Sequence, residues 1–195
     1  MKHLTENQKI VIENSIRDIL VALGEDPDRA GLVDTPRRVA KMYDEVLEGM
    51  RYTNDEIAEM YDKCFEEPEA EDLVCMSNID AFSFCEHHMA LMYNMKISVA
   101  YIPQGRVIGL SKIARIVDMV TKRLQLQERI GEDIAYIMEK ILNTNNVMVV
   151  IQGEHSCMTS RGIKKPGTVT HSAVLHGIFR DSVALRSEVY SMIRG

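Results

Sequence analysis

The hydrophobic pattern of the chain changes near residue 73, and this change restricts the fold more than any other feature. Before it, apolar residues follow the three-and-four spacing of amphipathic helices. After it, strands and helices alternate in blocks: strands at 73–84 and 91–102, a helix from Ser111, a helix at 127–142, strands at 147–152 and 168–179, and a helix at 182–193. Consecutive strands set apart from a helical pair predict an α+β fold with an antiparallel sheet.

The segment before residue 73 carries helix-start signals. Thr5 with Gln8 forms a capping-box pattern, and Thr53 with Glu56 repeats it. Between them, Thr35 is predicted as an N-cap with proline at the first helical position. The acidic stretch 66–72 contains a proline and is predicted as a solvated linker. We therefore expect a helical N-terminal region at 1–72 and a catalytic domain at 73–195.

Composition narrows the class of protein. A chain of 195 residues with 46% hydrophobic and 27% charged residues is typical of a globular domain. The net charge of −6 argues against nucleic-acid and membrane-surface binding, although a local basic pocket could still take a small polyanion. The N-terminus lacks the apolar core of a signal peptide, so a cytosolic location is expected. There the four cysteines should be thiols or metal ligands.

Two short segments carry candidate metal ligands. Cys85 and His88 lie three positions apart at a predicted strand end, and His155 and Cys157 follow the strand at 147–152. If that strand continues, alternation places His155 and Cys157 on one face. Cys157 then becomes a third ligand. The alternative is that Cys157 is a buried apolar thiol and that the spacing of Cys85 and His88 is a coincidence.

A Cys₂His set leaves a coordination position open. Closed structural zinc sites normally have four protein ligands, whereas three leave room for a water that the metal acidifies. His87 and His155 adjoin the site without being needed as ligands, and an imidazole is the usual proton shuttle near neutral pH. A single histidine is more often structural, but two beside one metal site favour catalysis.

Basic residues suggest an anion site. Ser111 and Lys112 stand at a helix start, where free backbone N–H groups favour phosphate, and Arg115 lies one turn further on. Further basic groups occur as Arg38 with Lys41 and as Arg161 with Lys164 and Lys165. Each group alone could be a solvated face, whereas together they match the charge of a triphosphate.

Gln127 and Glu128 begin a predicted helix and have two interpretations. An acid at a helix start is commonly there because the helix dipole stabilises it. A carboxylate can also accept two N–H bonds from a guanine edge. The residues alone leave both interpretations open.

Six blocks resemble the GTP cyclohydrolase I family and occur in its order across about residues 28–193. The blocks are DTPRRVAKMY at 34–43, CEHH at 85–88, YIP at 101–103, IGLSK at 108–112, RLQLQER at 123–129 and HSCMTSRG at 155–162. The resemblance implies a tunnelling fold and a homodecamer of two pentameric rings. It also implies hydrolytic opening of the imidazole ring of GTP to formate and 7,8-dihydroneopterin triphosphate, the entry to tetrahydrofolate, other pterins and one-carbon metabolism.

The same resemblance implies roles for individual residues. Zn²⁺ would be held by Cys85, His88 and Cys157. His155 would transfer protons during ring opening, with His87 assisting and Ser111 moving protons later. The residues implied in substrate binding are Gln127 and Glu128 for guanine, and Ser111, Lys112, Arg115, Arg161, Arg38 and Lys41 for the ribose triphosphate.

Two other classes of protein remain as alternatives. Another tunnelling-fold enzyme could act on a pterin or a 7-deazaguanine, but those relatives usually carry three histidines on zinc or a catalytic cysteine without zinc. A non-enzymatic module could use zinc only to pin two loops, and a fourth protein ligand would support that alternative. Cys64 and Cys75 are the spare cysteines, and neither has chelating spacing.

Overall fold

The computed structural model describes residues 2–195 and divides them into two compact units. The first unit ends at Arg51, and the second runs from Tyr52 to Gly195. The sequence placed the start of the catalytic domain at residue 73. That boundary stays a prediction, because a packing unit need not coincide with a catalytic domain.

The first unit contains helices α1 (Glu6–Ala22) and α2 (Thr35–Val46) and a 3₁₀ turn (Glu48–Arg51). The predicted capping box starts α1: Thr5 Oγ1 accepts from the Gln8 N–H at 3.3 Å, and Gln8 Oε1 accepts from the Thr5 N–H at 2.9 Å. The prediction of Thr35 as an N-cap is wrong by one residue. The cap of α2 is Asp34, so the helix already includes the threonine.

The second unit holds the remaining helices and all of the strands. They are α3 (Asn54–Tyr61), β1 (Cys64–Glu66), β2 (Val74–Cys85), β3 (Ala90–Tyr101), β4 (Arg106–Ile108), α4 (Leu110–Thr121), β5 (Leu124–Gln125), α5 (Gln127–Leu142), β6 (Val147–His155), α6 (Ser156–Thr159), β7 (Val169–Leu175), α7 (Ile178–Asp181) and α8 (Val183–Arg194). The second capping box, formed by Thr53 and Glu56, begins α3 as predicted.

The main sheet has five strands in the order β5-β2-β3-β6-β7, and β1 pairs separately with β4. All neighbours in the main sheet are antiparallel except β5, which runs parallel to β2. The predicted antiparallel α+β architecture is therefore confirmed, with one short parallel strand added. The structure is consistent with the tunnelling fold.

Helices α4 and α5 pack against the sheet and form the core with it. Their apolar stripes are fully buried, as the helical spacing predicts: Ile113, Ile116, Ile130, Ile134 and Ile137. From β3, Ile97 and Val99 are also fully buried. This packing holds the sheet rigid, so the ends of its strands can position a site.

Strand pairing brings the candidate residues to one end of the sheet. Cys85, the last residue of β2, pairs with Ala90 at the start of β3, and Met92 pairs with His155 at the end of β6. The end of β2, the start of β3 and the end of β6 therefore lie side by side. Strand register therefore places Cys85 and His155 at the same end of the sheet, although they are 70 residues apart in sequence.

Three other local predictions need correction. Gly109, not Ser111, is the N-cap of α4, so the serine lies inside the first turn. The strand predicted to run to residue 179 ends at Leu175, because Gly177 turns the chain at a φ of +53° before α7. The strand predicted at 147–152 continues to His155. No helix among residues 2–195 has the length and apolar character needed to cross a bilayer.

Candidate metal centre and active site

Three side chains gather at this end of the sheet in an arrangement that could hold a metal ion. Cys85 closes β2, His88 lies in the turn to β3, and Cys157 lies in α6. One potential ligand atom from each lies within 4.8 Å of the other two. Cys85 is buried, Cys157 is half-buried and His88 is exposed, so the site opens to one side.

The donor set fits a zinc ion. Thiolates and an imidazole are the usual zinc ligands, and atoms bound at about 2.0–2.3 Å in a tetrahedral site lie roughly 3.3–3.8 Å apart. The three atoms lie within 4.8 Å of one another, so small side-chain shifts bring them to that spacing. No fourth Cys, His, Asp or Glu joins the group among the described residues. Three ligands are typical of a catalytic rather than a closed structural site.

The structure places Cys157 in the cluster, as the sequence predicted, but not for the reason that the sequence argument gave. It placed His155 and Cys157 on one face of a continuing strand, but β6 ends at His155 and a helical turn follows. Cys157 reaches the cluster because this turn packs against β3, whose first residue, Ala90, pairs with Cys85. Burial, with Cys85 nearby, raises the pKa of the Cys157 thiol, so in this environment a bound cation is what favours the thiolate.

Two contacts hold the helical turn in place against β3. Ser156 Oγ donates to the Leu91 carbonyl at 2.5 Å. The Tyr93 hydroxyl lies 3.4 Å from Thr159 Oγ1, at the other end of the turn. Cys157 lies between these two anchors, so its position depends on β3 as well as on β6.

His155 is partly buried beside the cluster, and Gln127 at the start of α5 contacts it. Its Nε2 lies 2.9 Å from Gln127 Oε1. Burial lowers the pKa of this imidazole, and the nearby Glu128 carboxylate opposes that effect only in part. The neutral ring is therefore favoured, which suits a proton acceptor.

His87 and Arg161 border the ligands. His87 Nδ1 lies 3.8 Å from Cys85 Sγ, and its ring is exposed. Arg161 Nη1 lies 2.8 Å from His88 Nε2. The structure therefore places His87 and Arg161, both predicted as functional, directly beside the metal-ligand cluster.

The predicted phosphate-binding residues at the start of α4 are accessible to solvent. Ser111 and Arg115 are exposed and Lys112 is half-exposed at the first turns of the helix. Within residues 2–195, no ion pair occupies Lys112 or Arg115, and no hydrogen bond joins them to the metal ligands. Their part in substrate binding stays a prediction.

The other predicted substrate contacts differ in environment. Arg38 and Lys41 lie exposed on α2 in the first unit, where Arg38 pairs with Asp34 at 3.3 Å. Glu128 is exposed at the start of α5, whereas Gln127 is buried with its side-chain amide already hydrogen-bonded. Roles for these residues in binding substrate also stay predictions.

Sequence reasoning missed a polar network behind the site. Arg123 Nη1 contacts Asp133 at 3.1 Å and Asn54 at 2.8 Å, and Gln125 Nε2 donates to Asp133 at 2.8 Å. This network fixes β5, whose residue Gln125 pairs with Cys85. A signal was present in the sequence, because Arg123 and Gln125 lie within one of the matched blocks, but nothing there indicated burial.

A second missed contact holds the loop that carries His87 and His88. Glu86 and Arg129 form a two-pronged ion pair, with the shorter contact at 2.5 Å and the other at 3.3 Å. The guanidinium of Arg129 holds the pKa of the Glu86 carboxyl below its usual range. The pair connects the β2–β3 turn to α5.

An α+β domain with three candidate metal ligands at one end of its sheet, and two further imidazoles beside them that are not ligands, is typical of a metal-dependent hydrolase. A family model described as GTP cyclohydrolase I matches residues 12–194. The chain belongs to the GTP cyclohydrolase I family.

Curated relatives agree with this assignment. GTP cyclohydrolase 1 of Clostridium acetobutylicum is 57% identical over 187 residues, covering 94% of this chain and 96% of the relative. The protein of the same name from Clostridium botulinum strain Kyoto is 61% identical over 173 residues, covering 86% and 88%. That of Ruminiclostridium cellulolyticum is 55% identical over 188 residues, covering 94% and 96%.

Proposed function

We propose that this chain hydrolyses GTP, opening the imidazole ring of guanine to give formate and 7,8-dihydroneopterin triphosphate, the first step toward pterins and tetrahydrofolate. The observation that carries the proposal is the Cys85, His88 and Cys157 cluster with His155 at its side. Hydrolysis at a purine carbon requires an activated water and a group that exchanges protons with the ring. This end of the sheet can supply both.

Cys85, His88 and Cys157 would hold the metal, and the proposal assigns it as Zn²⁺ because thiolate and imidazole ligands favour that ion. Bound there, zinc supplies Lewis-acid activation of water at the position that three protein ligands leave open. Zinc identity is testable separately by elemental analysis of protein purified without added metal.

The residues of the chain divide the remaining work. His155, with its partly buried ring and lowered pKa, accepts and returns protons at the purine, and His87 assists from the exposed side of Cys85. The Glu128 carboxylate accepts N–H bonds from the guanine edge. Ser111 moves protons in the later ribose rearrangement, and the cations bind the triphosphate: Lys112, Arg115, Arg161, Arg38 and Lys41.

Incubation of the purified protein with GTP tests the activity. Formate release and the fluorescence of the oxidised pterin product are followed together, with and without a chelator. We expect both products in metal-loaded protein and neither after chelation. Metal-loaded protein that releases no formate contradicts the proposed activity, and pterin formed at full rate after complete metal removal contradicts the role of the metal.

We further propose that the chain assembles as a homodecamer of two pentameric rings. Two sheet edges support assembly: within the described residues β7 pairs only with β6, and β2 pairs with β5 only at Phe84 and Cys85. Open edges of this length are templates for strand pairing with another chain. Mass measurement by sedimentation should give about ten times 22.2 kDa. A monomer at micromolar concentration contradicts the assembly.

The location expected from the sequence, the cytosol, belongs to the same proposal. All four cysteines are free thiols. Free thiols beside a metal site suit a reducing compartment, where disulfides do not compete with metal binding.

A further inference from the structure

Gln127 is buried at the start of α5, and both the nitrogen and the oxygen of its side-chain amide have hydrogen-bond partners. The side chain is 2% exposed. Its Nε2 lies 3.1 Å from the Thr170 carbonyl, 3.1 Å from Ser172 Oγ and 3.4 Å from the Ile151 carbonyl. On the other side, Oε1 lies 2.9 Å from His155 Nε2.

These partners determine which way the amide points. The carbonyl oxygens of Ile151 and Thr170 can only accept hydrogen bonds, so they must face the NH₂ group of Gln127. Oε1 is then the atom that faces His155. Reversing the amide would set an oxygen against two carbonyl oxygens and leave buried groups unsatisfied, which costs free energy at each group.

The amide orientation in turn determines the tautomer of His155. Because Oε1 only accepts, Nε2 of His155 must carry the hydrogen in the 2.9 Å contact. A neutral imidazole carries one N–H, so Nδ1 is then the bare nitrogen. Among the described residues Nδ1 has no hydrogen-bond partner, which leaves it available to a reacting group.

Gly153 allows this arrangement. It lies on β6 two residues before His155, and a Cβ built there would stand 3.5 Å from Gln127 Oε1 and 2.9 Å from Met95 Cγ. The second contact is closer than real Cβ atoms tolerate, and Met95 is fully buried. Because Gly153 has no side chain, the Gln127 amide and Met95 pack against the β6 backbone without a steric clash.

We infer that Gln127 is a positioning residue that fixes His155 in the tautomer with hydrogen on Nε2, so that Nδ1 is the nitrogen that exchanges protons with the substrate. The inference rests on the proposed GTP hydrolysis, because it names the working atom of that reaction. It assigns Gln127 to His155 rather than to the guanine edge, where Glu128 alone would act. Groups that orient a metal-bound histidine are worth roughly ten- to a hundredfold in activity, and we expect a loss of the same order for a histidine that transfers protons.

Solid-state NMR of zinc-loaded protein labelled with ¹⁵N-histidine reads the tautomer directly, since protonated and bare ring nitrogens resonate far apart. The His155 signal is identified by its loss in His155→Ala. We expect hydrogen on Nε2 and a bare Nδ1. A bare Nε2 in the neutral ring overturns the inference whether or not any variant folds.

Gln127→Met tests the cause of that tautomer. We expect a mixture of tautomers, a fall in kcat of roughly ten- to a hundredfold and a KM for GTP within about twofold of the original. The matched control is Gln125→Met, which removes another buried amide, one that contacts Asp133 instead of His155. It should keep the single tautomer, and a mixture in this control as well overturns the assignment to Gln127.

GTP affinity in a non-reacting background separates positioning from direct substrate binding. In zinc-loaded His155→Ala, adding Gln127→Met should leave the Kd for GTP within about twofold. A Kd raised tenfold or more would show that Gln127 binds the base itself, which overturns the inference. Formate release by the unaltered protein tests the proposed function independently, so the two failures are distinguishable.

Discussion

The His88 ring can be hydrogen-bonded by Arg161 or coordinate a metal ion, and both interactions need a ring nitrogen with a free lone pair. A guanidinium only donates, so the 2.8 Å contact with Arg161 Nη1 uses the bare nitrogen of the neutral ring. Coordination of a metal ion requires the same lone pair. The hydrogen bond and the metal–ligand bond therefore exclude each other, and a metal held by His88 releases the Arg161 guanidinium for another acceptor, such as a phosphate oxygen.

Gly131 shows how one missing side chain positions α5, the helix that carries Gln127 and Glu128. A Cβ at this position would lie 2.7 Å from Val174 Cγ2 on β7. We expect Gly131→Ala to lower the free energy of unfolding by up to about 2 kcal/mol, because overpacking costs about 1–3 kcal/mol and offsets the gain of about 1 kcal/mol in helix propensity. Denaturant unfolding monitored by circular dichroism measures the change.

Val174→Ala provides the control for that prediction, since it removes the methyl group that clashes. In the Val174→Ala background, Gly131→Ala should be neutral or stabilising by up to about 1 kcal/mol. An equal destabilisation in both backgrounds would mean that the contact between α5 and β7 does not limit how closely they pack.

At the scale of elements, the sequence was informative wherever a periodic pattern was long. The apolar stripes of α4 and α5 and the two long strands β2 and β3 were predictable, because burial of one face imposes a regular spacing. Short elements were not. The two-residue strand β5 and the four-residue helix α6 are held by tertiary contacts, such as the pairing of Gln125 with Cys85, and carry no local signal.

The candidate site was also predictable from the sequence only in part. Residue types and family blocks named Cys85, His88, Cys157 and His155. The structure gathers the first three around one possible ion position and places His155 directly before the helical turn that carries Cys157. The reason given for Cys157 failed, because strand alternation cannot anticipate where a strand ends. The buried environment of Gln127 also could not be foreseen, since it depends on backbone groups of β6 and β7 that only the fold brings to α5.

At the scale of the whole molecule, the candidate metal ligands lie at one end of the sheet, whereas its unpaired backbone groups lie along its outer strands. The metal-ligand cluster lies where β2, β3 and β6 meet, while β7 and most of β2 have edges that pair with nothing among the described residues. Open edges of this kind are available for strand pairing with another chain, as the proposed assembly requires. The candidate metal ligands and the unpaired strand edges thus belong to different parts of one sheet.

The central claim is that Cys85, His88 and Cys157 hold the metal while His155 does chemistry without holding it. Zinc content per chain and formate release from GTP, measured on the same preparations of the original protein, His155→Ala and Cys157→Ala, test it most directly. We predict one zinc ion per chain in the original protein and in His155→Ala, with turnover lost in the variant, and loss of both zinc and turnover in Cys157→Ala. His155→Ala that loses its zinc, or Cys157→Ala that keeps both zinc and turnover, would contradict the account.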